Sequence, residues 1–450
     1  MPPNLAKDKT LFRCQACGAE SLRWQGQCTA CGDWNTLAEK MRTASAFSAP
    51  MALVDVPESQ TAFLHTGLAE FDHVMGPGVP LGSVMLLGGE PGIGKSTLIL
   101  QVVAALASRG KKVLYVSGEE SEQHLRLRAR RLALPQDSIY VSSQTAMPDI
   151  EAAVAALEPD IVVMDSVQVM TDPDLASSAG SISQLTACTQ RLSQYTKRQN
   201  ITLMLIGHIT KDGQLAGPKV IEHLVDIVLF FEGERSGTLR LLRSLKNRFF
   251  TTNEVGLFQM EEEGLVSVSN PSAPFLDSTT LSFSGSVIVP VMEGSRALLI
   301  ELQALVVPTG YATPRRTFSG VDPNRTQLLI AVLEKLGRYR LGQADVFVNV
   351  VGGYRLSEPA ADLGILMAIV SSLTGRPLQK STAVFGEVGL SGEVRGVPHA
   401  EKRLHAVAGL GMSSAIMPDR PVKARWESLF PLPVRSVEDA VRLGLGSVDA

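Results

Sequence analysis

Residues 89–96, Gly-Glu-Pro-Gly-Ile-Gly-Lys-Ser, constrain the fold of this chain more than any other stretch, because they match G-x-x-x-x-G-K-[S/T] in full. The apolar run VMLL precedes them and the apolar stretch STLILQVVAALA follows. Strand, glycine-rich turn and helix in this order let backbone N–H groups surround phosphate oxygens. The sequence therefore predicts a nucleotide-binding loop. A glycine-rich turn without a ligand is the alternative interpretation.

The residues expected to bind the nucleotide are contiguous: Gly89, Glu90, Pro91, Gly92, Ile93, Gly94, Lys95, Ser96 and Thr97. Lys95 is expected to reach the β- and γ-phosphates of ATP, and the Ser96 hydroxyl to ligate Mg²⁺. The strand IVVMD ends in Asp165, whose carboxylate fits the second magnesium-holding position. An aspartate at the end of a strand also caps helices, which is the alternative for Asp165.

Hydrolysis further requires a group that activates the attacking water. The strand VLYVS runs into Gly118-Glu119-Glu120, at the strand end where open α/β sheets bind ligands. We expect Glu119 to activate water and Glu120 to support it; both being exposed acids at a helix start is the alternative. His208 ends the strand LMLIGH, where it is either a γ-phosphate sensor or a structural histidine.

The 450-residue chain is too long for one core, and its 45% hydrophobic residues indicate globular domains. From 61 to 270, short apolar runs alternate with amphipathic stretches, which predicts an α/β fold around a parallel sheet. The expected strands are 83–87, 113–117, 139–142, 161–165, 202–207, 226–232, 239–245 and 255–260. The expected helices are 95–108, 122–132, 149–157 and 181–199.

Residues 1–40 contain four cysteines, Cys14, Cys17, Cys28 and Cys31, in two C-x2-C pairs separated by ten residues. Four thiolates at this spacing predict a structural Zn²⁺ site without an open coordination position. A redox dithiol is the alternative. Trp24 and Trp34 are expected to pack over the zinc knuckles; stacking on bases or binding a protein partner is the alternative. Residues 41–60 are rich in Ala, Ser and Pro and are interpreted as a linker.

The net charge of −3 does not indicate a nucleic-acid partner, so any basic surface must be local. No run of eighteen apolar residues occurs, and no membrane association is expected. The N-terminus lacks the apolar core of a signal peptide. We therefore expect a cytoplasmic protein.

Several motifs together resemble one family over essentially the whole chain. Besides the four cysteines they are GEPGIGKST, VSGEES, VVMDSVQ, IGHITKDG, AGPKVIEHLVDIVLFFEGE and the Lys246-Asn247-Arg248-Phe249 element. The chain resembles the RadA (Sms) family of bacterial DNA-repair proteins. That family usually has glycine after the phenylalanine, where this chain has Phe250.

The resemblance implies a RecA-like ATPase core that forms a homo-oligomeric ring, expected to be a hexamer. It implies ATP-driven movement on single-stranded DNA, branch migration of branched recombination intermediates and partnership with the RecA recombinase. It also implies that Lys246 and Arg248 reach across the subunit boundary to the γ-phosphate; solvated strand-end cations are the alternative. An ATP switch that binds protein partners is the alternative function.

Residues 271–450 resemble the proteolytic domain of the Lon family, with strands expected at 285–291 and 297–306 and helices at 325–336 and 361–373. The position of the Lon serine nucleophile is Ala360, and Glu401 stands at the lysine-base position, beside Lys402. A methyl group cannot attack an acyl carbon, so we expect a scaffold and not a peptidase; an ATP-dependent protease is the less favoured alternative.

A local basic cluster of Arg315, Arg316 and Arg325 is the candidate DNA-phosphate contact of this domain, with an ordinary solvated loop as the alternative. The predicted fold class is α/β: a RecA-like P-loop ATPase core with an N-terminal zinc ribbon and a C-terminal Lon-like α+β domain.

Overall fold

The computed structural model describes residues 12–14, 19–21, 23–39, 52–55, 62–208, 220–233, 239–268, 272, 276, 283–311, 313–336, 339–379 and 381–446. The chain separates into two compact units, Met1–Gln60 and Thr61–Ala450. Within these ranges no helix is both long and apolar enough to cross a membrane.

The first unit contains a three-stranded antiparallel sheet in the order β2-β1-β3. Its strands are β1 (Phe12–Cys14), β2 (Glu20–Ser21) and β3 (Leu37–Glu39). Trp24 and Trp34 are 58% and 70% exposed, so the expectation that they pack over the knuckles is wrong. The small core around Cys14 and Cys28 is not large enough to cover an indole ring. Cys17 and most of the predicted linker lie outside the described residues.

The second unit begins with a nine-stranded sheet in the order β14-β13-β12-β11-β6-β10-β9-β7-β8. Its strands are β6 (Val84–Gly89), β7 (Val113–Ser117), β8 (Ile139–Ser142), β9 (Ile161–Asp165), β10 (Thr202–His208), β11 (Ile227–Glu232), β12 (Leu239–Asn247), β13 (Val255–Glu261) and β14 (Gly264–Ser267). The six strands from β11 to β8 are parallel, whereas β12, β13 and β14 form an antiparallel meander. A small hairpin of β4 (Phe63–Leu64) and β5 (Val79–Pro80) precedes them.

Helices cover both faces of this sheet. They are α1 (Ala69–Met75), α2 (Lys95–Ala107), α3 (Glu122–Arg131), α4 (Met147–Leu157), α5 (Ile182–Arg198) and α6 (Val220–Leu224). Apolar residues of α1, α2 and α3 share one core with the sheet, and those of α4, α5 and α6 share the other. The central strands are buried on both sides, which explains their uninterrupted apolar sequences.

The predicted elements of this domain are confirmed. Strands β7, β8 and β9 have the expected bounds, and the other predicted elements end within one to three residues of expectation. Helices α3 and α5 begin after serine caps: the Ser121 side chain accepts a hydrogen bond from the His124 amide, and Ser181 accepts from Gln184. Such caps satisfy amides that the first turn of a helix leaves without partners.

The C-terminal part of the unit is a seven-stranded mixed sheet in the order β17-β18-β16-β15-β19-β22-β23. Its strands are β15 (Ser286–Glu293), β16 (Arg296–Pro308), β17 (Arg316–Ser319), β18 (Ala344–Val350), β19 (Thr382–Val384), β22 (Ser414–Pro418) and β23 (Phe430–Val434). A separate hairpin consists of β20 (Glu387–Val388) and β21 (Val394–Arg395).

Four helices accompany this second sheet: α7 (Pro323–Lys335), α8 (Asp362–Thr374), α9 (Ala400–Gly409) and α10 (Val437–Leu445). Helix α8 is buried from Asp362 to Ser371 and forms the centre of the core. The predicted strands and helices of this region are present, with ends shifted by one to three residues. Most of the predicted break at 269–278 lies outside the described residues.

Candidate functional site

The carboxyl ends of four neighbouring parallel strands bring the predicted nucleotide residues together. In the sheet register His208 lies beside Gly89, and Asp165 lies beside Ile206 and Ser117. Motifs separated by up to 119 positions, from residue 89 to residue 208, thus meet at one sheet edge. This edge is where open α/β sheets bind ligands.

The loop between β6 and α2 has a backbone that requires glycine at three positions. Gly92 and Gly94 have φ angles of 79° and 113°, a region that disfavours other residues. A Cβ atom on Gly89 would lie 2.4 Å from the Phe231 carbonyl oxygen. Helix α2 begins at Lys95, directly after the loop, and the amides of a helix N-terminus suit phosphate oxygens.

Lys95 is buried at this loop, with 4% of its surface exposed. Its Nζ atom donates to the carbonyl oxygens of Gly89 (2.8 Å) and Glu90 (2.9 Å) and lies 3.3 Å from Nδ1 of His208. Burial lowers the pKa of Lys95 to about 8, against the opposing charges of Asp165, Glu119 and Glu90. A buried ammonium held mainly by neutral acceptors attracts an incoming phosphate strongly.

Asp165 is buried at the end of β9, where its Oδ2 accepts a hydrogen bond of 2.7 Å from the Tyr115 hydroxyl. Burial, and then the charge of Asp165, raise the pKa of Tyr115, so the phenol stays protonated and fixes the carboxylate. Tyr115 was not among the predicted site residues. Its signal was the phenol in the middle of the apolar strand VLYVS, because a buried hydroxyl needs a partner.

Glu119 forms the contact between two strand ends. Its Oε1 accepts hydrogen bonds from the Ser166 hydroxyl and from Nε2 of His208, which lies 2.9 Å away. Burial acts to raise the pKa of Glu119, but the bonds from Ser166 and His208 and the charge of Lys95 lower it overall. Glu119 is therefore a carboxylate at neutral pH. His208 connects it to Lys95, and Ser166 is a further site residue that sequence analysis missed.

Glu120, the second acid of this loop, has a different partner. Its carboxylate accepts from Nη2 of Arg128 on α3 at 2.9 Å, and its backbone is held by Ser117. The carboxylates of Glu119 and Glu120 thus point to different partners. Two adjacent acids in a loop give no sequence signal for which one faces the nucleotide.

Strand β12 contacts the phosphate loop through a residue that the sequence analysis did not single out. The Arg240 side chain is buried and its Nε donates to the Ile93 carbonyl oxygen at 3.1 Å. Arg240 therefore links strand β12 to the phosphate loop.

At the other end of β12 lie Lys246 and Arg248, the two cations expected to act as a finger, that is, to reach across a subunit boundary to the γ-phosphate. Their surroundings differ. Lys246 Nζ donates to the carbonyl oxygens of Glu222 and Val225, each at 2.7 Å, so it closes the end of α6. Arg248 lies 3.3 Å from Asp226, and its side chain is 57% exposed. Asp226 is also paired with Lys197 at 2.8 Å. Arg248 is thus the cation that faces solvent.

Phe250, which departs from the family pattern, packs its ring against Gly76 after α1. A Cβ atom on Gly76 would lie 2.3 Å from the ring of Phe250, so only glycine allows this contact. The Asn247 side chain accepts hydrogen bonds from the amides of Phe249 and Phe250. The backbone around Arg248 is therefore ordered with phenylalanine in place of glycine.

The cysteine site has the dimensions of a zinc site. The sulfur atoms of Cys14, Cys28 and Cys31 lie within 4.8 Å of one another, and those of Cys14 and Cys31 are 3.7 Å apart. Tetrahedral Zn–S bonds of about 2.3 Å place two sulfurs about 3.8 Å apart, so three thiolates fit Zn²⁺. Cys188 is buried within α5, and burial raises its pKa to about 11, which suits a structural thiol.

In the C-terminal domain, the position of the Lon nucleophile is buried: Ala360 is 2% exposed. It lies beside a cavity of about 740 Å³ lined by Asp322, Arg325, Arg355, Glu358 and Asp362 among others. Glu401 accepts the Lys423 amide, and Lys402 donates to the Ser295 carbonyl oxygen.

The expectation of a basic cluster is corrected by the contacts of its members. Arg325 forms a two-pronged pair with Asp362, and Arg316 donates to the carbonyl oxygens of Ala344 and Leu341. Both guanidinium groups are held by internal acceptors. Arg315, whose guanidinium lies 4.1 Å from the Tyr311 ring centroid, remains the candidate contact.

Three family models match this chain. An AAA domain matches residues 50–214, a rubredoxin metal binding domain matches 12–39, and the Lon protease (S16) C-terminal proteolytic domain matches 335–433. A KaiC-like protein of known structure, PH0186 from Pyrococcus horikoshii OT3, aligns with a TM-score of 0.39 at 19% identity, covering 46% of this chain and 99% of that one.

Curated relatives match over nearly the whole length. DNA repair protein RadA of Bacillus subtilis (strain 168) is 43% identical over 98% of this chain and 100% of its own. DNA repair protein RadA of Pseudomonas aeruginosa is 45% identical over 92% of this chain and 94% of its own. The predicted fold class, a RecA-like ATPase core with a zinc ribbon and a Lon-like domain, is confirmed. This chain belongs to the RadA family of DNA repair proteins.

Proposed function

We propose that this protein is an ATP-driven DNA motor of recombinational repair that moves on single-stranded DNA and promotes branch migration. It acts as a hexameric ring, with a RecA-type recombinase as its partner. The observation that carries the proposal is the meeting of Lys95, Asp165, Glu119 and His208 at one sheet edge of a RadA-family chain. The proposal includes three domains, residues 1–40, 61–270 and 271–450. Residues 41–60 are the linker between the first and the second.

Each residue of this edge has a role that its contacts support. Glu119, a carboxylate at neutral pH, removes the proton of the attacking water, and His208 holds it in place. Lys95 stabilises charge that develops on the γ-phosphate. Ser96 and Asp165 would hold Mg²⁺, which neutralises phosphate charge when bound. The Tyr115 hydroxyl keeps Asp165 in one orientation.

Arg248 serves the nucleotide of a neighbouring copy. Its guanidinium is more than half exposed, and the apolar side chains of Leu245, Phe249 and Phe250 beside it are 40–54% exposed. Exposed apolar side chains next to an exposed cation suit a subunit contact. A cation inserted across such a contact contributes on the order of 10³-fold or more to phosphoryl transfer. Lys246 anchors the strand that carries it.

The remaining domains act as structural and DNA-binding parts. Cys14, Cys17, Cys28 and Cys31 hold one structural Zn²⁺. The Lon-like domain is a scaffold for ring assembly and DNA contact, because the Ala360 methyl group offers no nucleophile.

The decisive measurement is the ATPase rate of the full chain with and without single-stranded DNA, followed by branch migration of a labelled three-strand intermediate. We expect DNA to raise the rate and ATP to be required for migration. Lys95→Ala is the control that separates hydrolysis from DNA binding. A rate that DNA does not change would favour a protein-binding ATP switch, and ATP-dependent degradation of casein would favour a protease.

A further inference from the structure

The turn between β15 and β16, formed by Glu293, Gly294, Ser295 and Arg296 and called here the brace turn, belongs to the C-terminal sheet but contacts the ATPase domain. The Ser295 amide donates to the Asn253 carbonyl oxygen at 2.6 Å. Asn253 lies in the loop of residues 248–254, which joins β12 to β13 and begins with Arg248. The brace turn therefore rests on the loop that carries the proposed finger.

Three side chains of the brace turn extend this contact. Glu293 accepts from Arg243 of β12, and Ser295 Oγ donates to Glu254, the last residue of the loop. Arg296 lies 2.6 Å from Glu70 of α1. Strand β12, the end of the loop and helix α1 are thus all bonded to one turn.

The loop also contacts the region of helix α1. The ring of Phe250 lies against Gly76, after the end of α1. The buried Glu70 of α1 accepts the Leu257 amide of β13 at 2.9 Å and pairs with the brace turn as well. The helix α1 region and the brace turn therefore both contact loop 248–254 and are bonded to each other.

We propose that the brace turn positions loop 248–254, and with it Arg248, for reaching the nucleotide of a neighbouring copy. Gly294 and Ser295 are then positioning residues for ATP hydrolysis, although they belong to the Lon-like domain. The inference rests on the proposed role of Arg248 across the subunit contact. It assigns the Lon-like domain a direct part in the chemistry of the ATPase ring.

Gly294 offers a sharp test because of its surroundings. It has a φ of 60°, and a Cβ atom there would lie 2.1 Å from the Asn253 carbonyl oxygen, so Gly294→Ala displaces the brace turn from the loop. Gly411 has a φ of 71° and no atom within 4 Å of its Cβ position. Gly411→Ala is therefore a matched control, with similar backbone strain but without the collision. Ser295→Ala is a second variant that removes only the Glu254 contact.

We expect Gly294→Ala to lower the DNA-stimulated kcat on the order of 10- to 100-fold, the effect of a misplaced catalytic group. The Kd for ATP stays unchanged, because each subunit's own phosphate loop is intact. Ser295→Ala lowers kcat less, and Gly411→Ala leaves it at the wild-type value. Wild-type turnover by folded Gly294→Ala overturns the proposal. If Gly294→Ala does not fold, the Ser295→Ala result decides: unchanged kcat overturns it.

Mixed assemblies separate positioning from general damage. A Gly294→Ala subunit has an intact phosphate loop and a misplaced finger, so mixing it with Lys95→Ala subunits should recover activity, whereas mixing it with Arg248→Ala subunits should not. Recovery with Arg248→Ala instead overturns the proposal, because the defect then lies outside the finger.

The reference mixture of Lys95→Ala and Arg248→Ala tests the proposed function itself. If its subunits exchange and it stays inactive, action across the subunit contact fails. Amide hydrogen exchange of residues 248–254 then decides the brace separately. Faster exchange in Gly294→Ala than in Gly411→Ala supports ordering of the loop by the brace turn, and equal exchange overturns it.

Discussion

The phosphate-binding edge of the nine-stranded sheet and the cavity of the Lon-like domain both gather buried charges, but they pair them differently. In the Lon-like domain, Arg325 makes a two-pronged pair with Asp362, and the buried Arg403 makes one with Glu358. At the phosphate edge, Lys95 bonds to two carbonyl oxygens and a histidine ring, and its pKa is lowered.

Under the proposed function, this difference separates a reactive site from a scaffold. Buried charges without a full ionic partner destabilise the fold but bind an oppositely charged ligand, which is typical of functional sites. Buried charges in two-pronged pairs fix the chain around them and have little affinity left for a ligand. The pairing of the charges therefore indicates which of the two regions is suited to bind a charged ligand.

The largest effect is expected from removing the charge at the phosphate edge. Lys95→Ala should lower ATP hydrolysis at least 10³-fold while the chain stays folded, because it removes the cation that stabilises the transferring phosphate. Turnover and the circular dichroism spectrum of the same preparation check this. An unfolded variant, or wild-type turnover, would contradict the assignment.

Glu119→Gln should lower hydrolysis by about 10²- to 10⁴-fold, the usual contribution of a general base, and leave ATP binding intact. Glu120→Gln is the matched control, since Glu120 pairs with Arg128 and we expect a much smaller loss. Single-turnover rates of both variants measure the difference. If Glu120→Gln is the slower enzyme, the two acids have the opposite roles.

Replacing Arg403 or Lys95 by methionine tests the comparison through the free energy of unfolding. Arg403→Met leaves Glu358 without its partner and should cost about 3–5 kcal/mol of unfolding free energy, as for broken buried pairs. Adding Glu358→Gln should restore part of this loss.

Lys95→Met should instead stabilise the nucleotide-free chain, on the order of 1–3 kcal/mol, because a desolvated charge is removed.

The stabilisation by Lys95→Met should depend on pH in a defined direction. Below pH 8 the lysine is charged in both states and its burial cost is fully present; between pH 8 and its ordinary pKa of 10.5 the folded state loses the proton first. The difference in unfolding free energy between Lys95→Met and the wild type should therefore become smaller as pH rises from 8 to 10.5. Denaturant titrations at pH 7 and pH 10 measure it, and a constant difference would refute the charge argument.

The smallest effect on the ATPase core is expected from zinc removal. Chelation should disorder residues 1–40, which have few apolar residues, and leave the unfolding midpoint of the second unit unchanged. Metal analysis of fresh protein should give one zinc per chain. Protein without zinc, or a core that melts earlier after chelation, would contradict this.

The sequence predicted the sheet edge because each strand end is marked locally. Strands β7, β8 and β9 are uninterrupted apolar runs followed by polar residues, so their ends and the residues after them are readable. Parallel strands end at the same edge, so Asp165 and His208 had to meet near the phosphate loop.

Contacts between distant elements could not be read in this way. Strand order in the sheet decides which partners Tyr115, Ser166 and Arg240 contact. No local sequence pattern predicts that order. The two carboxylates after β7 are adjacent in the sequence, and their distant partners distinguish them: Ser166 and His208 for Glu119, and Arg128 for Glu120. The Arg325–Asp362 pair likewise joins α7 to α8 across 37 positions. Arg325, which the sequence placed in a basic cluster, therefore forms an internal ion pair.

At one end of strand β12, Arg240 contacts the phosphate loop of its own chain. At the other end the strand continues through Lys246 into loop 248–254. Six residue steps of strand separate Arg240 from Lys246, about 20 Å of backbone that scarcely stretches. In a closed ring built from such chains, this stretch of backbone would connect each ATP site, through Arg240, to the next one, through Arg248.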